Sequence, residues 1–372
     1  MTLLEQPWVG YLLALLVAGL LSVALTPVLI RTAVRRGILD RPSGHKSHVT
    51  PTPYLGGLAI VVGFVVSVLG AAALRVATGG STGGLRELVV ILSVALILAV
   101  IGLLDDLKGL GVAARLLPQI GAGVALWLVG IRVNLVPFEL GGVAVVDLLI
   151  TLVWVVGITN AMNLLDNMDG LSAGIATIAA LWFGLIGALN GQILVSSLAF
   201  ALAGATLGFL RQNRPPARIY MGDAGSLFLG VLLAAIGIKL EFTIDAVNAA
   251  LIPILVLTVP VMDTTLVVIA RLKHGVSPFT GGRDHISHRL VKVGLPVPVA
   301  VLLIIGAGVA HGWMALVVSR VDVTTALLAA GLIFTVDLVL FALLAKVPVY
   351  DNSRGRDLVI TPRERLLDTP RG

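Results

Sequence analysis

Long apolar runs alternate with short polar connections along most of the chain. Taken in order they cover residues 8–30, 54–76, 87–104, 113–130, 146–164, 170–188, 192–210, 225–240, 248–270, 296–318 and 323–346, eleven in all. A helix rises about 1.5 Å per residue, so about 20 apolar residues cross roughly 30 Å of hydrocarbon. The runs at 113–130, 146–164 and 225–240 are the weakest, being short or interrupted by glycine and polar residues. Strand-like alternation is nearly absent, which argues against a barrel. The pattern therefore predicts an all-α polytopic membrane protein of about eleven transmembrane helices. Residues 1–346 read as a single transmembrane domain, and 347–372 as a polar, proline-containing tail expected to be flexible. The opening MTLLEQPW lacks the basic region of a signal peptide, so the first run is expected to be retained.

Composition agrees with this class. Hydrophobic residues make up 58% of the chain and charged residues only 12%, against about 25% in soluble proteins. The absence of cysteine excludes disulfides, thiolate metal sites and cysteine nucleophiles. The net charge of +6 would suggest nucleic acid in a soluble protein, but membrane helices concentrate Lys and Arg in cytoplasmic loops. With the N-terminus outside, all 26 basic residues except Arg75, Arg86, Arg132, Lys239 and Arg320 fall on the cytoplasmic side. That asymmetry favours an odd number of spans and a cytoplasmic C-terminus, and leaves no call for nucleic acid as a partner.

The same orientation gathers the unusual polar clusters on the cytoplasmic face. In the first loop, Lys46 with His45 and His48 is suited to neutralising a phosphate, and Gly56–Gly57 permits close backbone approach; an ordinary basic juxtamembrane loop reads the same way. Asp105 and Asp106 end the third run, where adjacent carboxylates suit Mg²⁺, proton abstraction or simply a solvated helix end. Asn160, Asn163, Asp166, Asn167 and Asp169 close the fifth run, a costly set if it faced lipid. Gly222-Asp223-Ala-Gly225-Ser226 forms a turn before a helix, a geometry suited to a metal-bound diphosphate. Tyr220 beside it could stack on a base or simply sit in the interfacial aromatic belt. Asp263 lies inside the ninth run and should face the bundle interior, three residues after Pro260, where a kink is expected. In the last cytoplasmic loop Arg283, His285, His288 and Arg289 could hold a diphosphate by charge-assisted hydrogen bonds. Zinc is the weaker idea, because no regular His or Cys spacing completes a tetrahedral set.

Five ordered motifs, DRPSGHKSHVTPTPYLGG, LLDD, NAMNLLDNMDGL, MGDAGS and PVMDT followed by GVSPFTGGRDHISHRL, resemble the polyprenyl-phosphate N-acetylhexosamine-1-phosphate transferases typified by MraY and WecA. The likeness covers roughly residues 38–292. It implies transfer of HexNAc-1-phosphate, GlcNAc-1-phosphate first, from UDP-HexNAc to undecaprenyl or another polyprenyl phosphate, with release of UMP. Mg²⁺ is the implied cofactor and Mn²⁺ a substitute. Asp223 is then similar to the family's metal-binding aspartate, with Asn163 as second ligand, and Asp105–Asp106 to its catalytic pair, acting as base or positioning the lipid phosphate. Asp166, Asp169, Asn213 and Tyr220 fall on the nucleotide side. Lys46, His48, Arg283, His285, His288 and Arg289 fall on the phosphates, with His285 and His288 catalytic and Asp263 on the substrate side. The resemblance also implies the inner (cytoplasmic) membrane, an active site on its cytoplasmic face and, by likeness to related enzymes, a conceivable homodimer.

The chain departs from the pattern in two places. Ser287 stands where the family often has the middle histidine of His-x-His-His, and the Gly-Thr-Pro-Thr-Met-Gly-Gly stretch of the MraY branch is missing. The second departure and the eleven runs favour the WecA branch over a phospho-MurNAc-pentapeptide transferase. A lipid-phosphate phosphatase or phosphatidyl transferase would show a more compact acidic signature. A lipid or sugar transporter would show broken helices and mid-membrane charge, which only Pro260 and Asp263 suggest.

Overall fold

In the computed structural model, residues 7–40, 51–79, 83–133, 143–242 and 246–350 are described. They form α1 (Pro7–Arg36), β1 (Leu39–Asp40), β2 (Thr52–Pro53), α2 (Gly57–Ala77), α3 (Leu85–Lys108), α4 (Val112–Leu128), α5 (Val143–Leu165), α6 (Leu171–Leu189) and α7 (Ile193–Asn213). There follow α8 (Gly222–Lys239), α9 (Ala246–Val256), α10 (Thr258–Lys273), α11 (Ile286–Lys292), α12 (Val297–Val318) and α13 (Val323–Ala345). Every apolar run thus has its helix. Among the described residues nine helices are long and apolar enough to cross a membrane, or ten when the bent pair α9 and α10 counts as one span. The α4 helix is apolar but shorter, at 17 residues.

Three local features differ from the sequence reading. First, α1 continues past residue 30 to Arg36, and Arg35 and Arg36 lie in its last turn, where cations complement the negative end of the helix dipole. Second, the ninth run is broken rather than kinked: α9 and α10 meet at 70° around Leu257. Pro260 accounts for the place. It has no N–H for the carbonyl of Val256, the last residue of α9, whereas in the first turn of α10 no such bond is required. Third, β1 and β2 form a two-stranded antiparallel ladder, pairing Leu39 with Pro53 and Asp40 with Thr52. Its strands flank residues 41–50 in the sequence, which include His45, Lys46 and His48 and lie outside the described residues.

The core centres on α8, which lies between α3 and α5 and touches α2, α6 and α9. Residues Ala224 to Gly237 of α8 are all buried. In α13, by contrast, only Ala326 and Ala330 are buried. The outward faces of α1, α12 and α13 carry Leu20, Leu302, Leu328, Leu332 and Leu338, each more than half exposed, as suits a lipid-facing surface. The first turn of α8 is thereby carried into the middle of one end of the bundle.

Candidate active site

The geometry at that end begins with glycine. A Cβ on Gly102 would stand 2.3 Å from the carbonyl oxygen of Asp223, so only glycine lets α3 lie this close to α8. One turn further along α3, Asp106 meets the exposed amides of α8: its Oδ1 accepts from Asp223 N at 2.9 Å and its Oδ2 from Ala224 N at 3.1 Å. The first amides of a helix lack internal partners, so a carboxylate here both caps α8 and fixes Asp223. Gly222 has φ +70°, and a Cβ there would stand 2.6 Å from Asp106 Oδ2. The Gly-Asp turn is thus built around the Asp106 carboxylate.

Asp223 is held from two further sides. Asn163, near the end of α5, donates from Nδ2 to Asp223 Oδ1 at 2.7 Å and to Ser226 Oγ at 2.9 Å. Arg115 of α4 places Nη1 3.2 Å from Asp105 Oδ2 and 4.0 Å from Asp223 Oδ2. The other oxygen of Asp105 accepts from Leu110 N at 2.5 Å. In the sequence Arg115 reads as one more positive-inside residue. Its spacing of ten residues from Asp105, on the next helix of a hairpin, was the available signal.

The turn after α5 forms the second wall. Asp166 is raised to about 7, by burial first and then by the charges of Asp223, Asp106 and Asp169. Asp169 Oδ2 accepts from Ala217 N at 2.8 Å. Asn213 is buried and both ends of its amide bind backbone: Oδ1 accepts from Gly170 N at 3.0 Å and Nδ2 donates to Ile219 O at 2.9 Å. Asn213 therefore joins two turns in this structure, where a nucleotide contact was expected. Tyr220 is pinned through its backbone, donating to Pro53 O at 2.8 Å and accepting from Gly56 N at 3.0 Å, while Gly57 N donates to Met221 O at 2.8 Å. The close approach expected at Gly56–Gly57 is made by the protein's own chain. The Tyr220 phenol is raised above its ordinary value, chiefly by burial, and its ring is partly exposed.

The histidine loop completes the group. Ser287 Oγ donates to Asn167 Oδ1 at 2.5 Å, tying α11 to the Asp166–Asp169 turn. The residue that departs from the family pattern thus joins the two halves of the site. Asp263 Oδ2 lies 2.7 Å from His285 Nδ1, and its Oδ1 accepts from Ile286 N at 2.7 Å. Asp263, expected on the substrate side, is 1% exposed and engages both oxygens in orienting this loop. Arg289, expected on the phosphates, is likewise engaged by the protein's own backbone. Its guanidinium is buried and donates to Asp284 O at 2.8 Å, Leu344 O at 2.9 Å and Val347 O at 3.0 Å, leaving it a brace inside the fold. His288 is partly exposed, its ring centre 6.1 Å from that of His285. It is lowered to about 4 by burial first, then by the positive charge of His285 and Arg283, so it is neutral at pH 7. Arg283 is partly exposed on the same loop.

Among the described residues no three His, Asp or Glu side chains form a ready-made metal cage. The donor set nevertheless fits Mg²⁺, which takes one or two carboxylates and keeps waters or substrate phosphates in its other positions. Asp223 and Asp105 supply hard oxygens facing the same guanidinium. Asn163, expected as the second ligand, turns its NH₂ toward Asp223 here and orients that carboxylate.

The model for glycosyl transferase family 4 matches residues 88–241, which span α3 to the end of α8. The chain is 35% identical over 312 residues to a probable undecaprenyl-phosphate N-acetylglucosaminyl 1-phosphate transferase of Bacillus subtilis (strain 168), covering 81% of this chain and 83% of the relative. It is 36% identical over 297 residues to a decaprenyl-phosphate N-acetylglucosaminephosphotransferase of Mycolicibacterium smegmatis, covering 73% of each. A phospho-N-acetylmuramoyl-pentapeptide-transferase of Streptococcus mutans is 32% identical over 249 residues, covering 61% of this chain and 72% of the relative. The matched segment carries the capped acidic centre, and the similarity runs through most of the bundle that positions it: the chain belongs to glycosyl transferase family 4, the polyprenyl-phosphate sugar-1-phosphate transferases.

Proposed function

We propose that the protein transfers GlcNAc-1-phosphate from UDP-GlcNAc to undecaprenyl or decaprenyl phosphate, releasing UMP, with Mg²⁺ as cofactor. The observation that carries this reading is the Asp223 centre, fixed by the Asp106 cap and by Asn163 and flanked by the guanidinium of Arg115. GlcNAc is favoured as the sugar because the relatives named for it align over 73% and 81% of this chain, and the Streptococcus mutans muramoyl-pentapeptide enzyme over 61%.

The reaction forms a bond between an oxygen of the lipid phosphate and the sugar-linked phosphorus. The bond from that phosphorus to the bridging oxygen breaks, and UMP leaves with this oxygen. Repulsion between the two anions is the main barrier, so fixed positive charge is the main need. Asp223 with Asp105 would hold Mg²⁺, which when bound supplies charge neutralisation to the diphosphate. Arg115 contributes a further cation beside these carboxylates. Arg283, His285 and His288 serve the phosphates from the opposite wall, His285 held in orientation by Asp263. The partly exposed ring of Tyr220 serves as the stacking surface for the base.

The proposal reads α4 and the α9–α10 pair as spans, which gives eleven, with the N-terminus outside and the C-terminus in the cytoplasm. The capped acidic centre then opens to the cytoplasmic face of the inner membrane, where a soluble nucleotide sugar and a lipid phosphate can meet. The test is UMP release by purified protein with Mg²⁺, undecaprenyl phosphate and, in turn, UDP-GlcNAc, UDP-GalNAc or UDP-MurNAc-pentapeptide. Lipid-dependent UMP with UDP-GlcNAc, lost on chelation and in Asp223→Ala, is the expected result. Folded protein that releases no UMP from any donor would overturn the reading, and release only from the muramyl nucleotide would move the chain to the other branch.

A further inference from the structure

Immediately before His285 stands Asp284, which is wholly buried and held on every side. Arg271, from the last turn of α10, donates to it twice at 2.9 Å, from Nε to Oδ2 and from Nη2 to Oδ1. A third donor of Arg271, Nη1, binds Pro278 O at 2.7 Å, fastening the loop upstream of Asp284. A Cβ on Gly282 would stand 2.8 Å from Asp284 Oδ1, so the loop crosses directly over this ion pair. The remaining partner comes from far along the chain: Tyr350, five residues beyond the end of α13, donates its hydroxyl to Asp284 Oδ2. The Tyr350 ring is 6% exposed and stacks on His274 with centroids 4.5 Å apart. Lys292 Nζ donates to Pro348 O and Arg289 to Val347 O, so the chain after α13 is stitched along the histidine loop.

We propose that Tyr350 is a positioning residue for the transfer reaction, acting through Asp284 to hold His285 in place. A bidentate Arg–carboxylate pair sets the position of Asp284 but leaves it free to rock about the plane of the fork. The Tyr350 hydroxyl adds a contact from a third element and removes that freedom. His285 is the next residue, and its Nδ1 has one acceptor, Asp263 Oδ2 at 2.7 Å. A small tilt at residue 284 would therefore shift the imidazole against the phosphates without unfolding anything. Burial alone would raise the Asp284 carboxyl, but the hydrogen bonds from Arg271 and Tyr350 outweigh it and leave it below its ordinary value. The carboxylate is thus charged and able to hold both donors. This inference rests on the proposed function for its kinetic readout, but not for its structural one.

Tyr350→Phe keeps the ring on His274 and removes only the hydroxyl. In the full-length enzyme kcat for UMP release is expected to fall about tenfold, the scale of a lost hydrogen bond to a charged group, with KM for UDP-GlcNAc unchanged. In a His285→Ala background the same change should add less than about twofold, because two residues acting as a unit are not additive. Asp284→Asn serves as a second variant and should show the same dependence on His285. Hydrogen exchange of the 283–290 segment should quicken in Tyr350→Phe whether or not the enzyme turns over. Unchanged exchange in Tyr350→Phe, or an equal loss of kcat with and without His285, would overturn the inference. Wild-type protein that releases no UMP would instead refute the proposed function, and the exchange measurement would still decide the role of Tyr350.

Discussion

The Asp106 carboxylate accepts from the backbone amide of Asp223 at 2.9 Å, so the acid of one motif is the helix cap of the other. Asp106→Asn keeps the shape but turns an NH₂ toward one of the two amides it now satisfies. Stability is expected to fall by about 1 kcal/mol, as for other lost caps, and UMP release by a much larger factor because Asp223 loses its register. Thermal unfolding and turnover measured on the same preparation check this. Turnover that falls no further than the folded fraction would show that Asp106 only caps.

Gly102→Ala places a methyl 2.3 Å from the Asp223 carbonyl oxygen and 2.5 Å from Ala224 N. Backbone cannot yield as a flexible side chain can, so α3 and α8 must separate. A loss of about 1–3 kcal/mol is expected, as in other overpacked cores, together with most of the activity. Gly121→Ala is the control, since nothing lies within 4 Å of its Cβ position. Equal behaviour of the two variants in thermal unfolding and turnover would contradict this account.

Under the proposed reading, Mg²⁺ at Asp105 and Asp223 would compete with Arg115, whose guanidinium faces both carboxylates. Removing its charge in Arg115→Ala should tighten Mg²⁺ binding, lowering the half-activating concentration by about threefold, as one partly screened charge allows. Maximal turnover should fall in the same variant and recover partly in Arg115→Lys. A titration of UMP release against Mg²⁺ reads both, and a midpoint that rises would place Arg115 among the groups that support metal binding.

His288 supplies a pH test. Its value is lowered from 6.5 in the unfolded chain to about 4 in the fold, by burial first and then by His285 and Arg283. Between those values the unfolded chain binds the proton and the folded one does not. The stability this neutral histidine contributes is therefore complete above pH 6.5 and lost as pH falls toward 4. Thermal midpoints of wild type should drop more steeply across that window than those of His288→Gln. Parallel curves would mean that His288 protonates as readily in the fold as out of it.

His311 Nε2 lies 2.9 Å from Asp337 Oδ2, joining α12 to α13. Breaking a buried pair strands the partner, so His311→Ala should cost about 3–5 kcal/mol, whereas the double change to leucine should recover most of it. Turnover should fall with stability in the single variant and recover with it in the double, since the pair acts only by seating α13. A single variant as stable as wild type would show that Asp337 reaches water.

Much of this architecture can be read from the chain. Apolar length alone places every long helix, because lipid demands it whatever the partners. The break at Leu257 is less visible: Pro260 marks a disturbance, but whether a helix bends or snaps depends on packing. Arg31 to Arg36 look like a loop because charge ends an apolar run, although it need not end a helix. The motifs identify the acidic centre, and the fold brings Asp105, Asp106, Asn163 and Asp223 together. Asp263, Asn213 and Arg289 show the limit. A polar residue that binds backbone and one that binds substrate look alike until the backbone is placed. Arg115 shows the converse, since a basic residue that faces two carboxylates looks in the sequence like any other basic residue near a helix end.

The shallow seating of α13 has a consequence for anyone who handles this protein. Among the described residues only Ala326 and Ala330 of that helix are buried, and its contacts lean on His311 to Asp337 at mid-length and on Arg289 at its end. It resembles an outer stave, packed lightly on α9, α10 and α12 and pegged by these polar contacts. Solvents that strip lipid will loosen this stave before they touch the centre. The stave also carries the strand of chain that steadies the histidine loop. Inactivation during extraction should therefore begin at the rim, with the acidic centre still intact, and added lipid should reverse it.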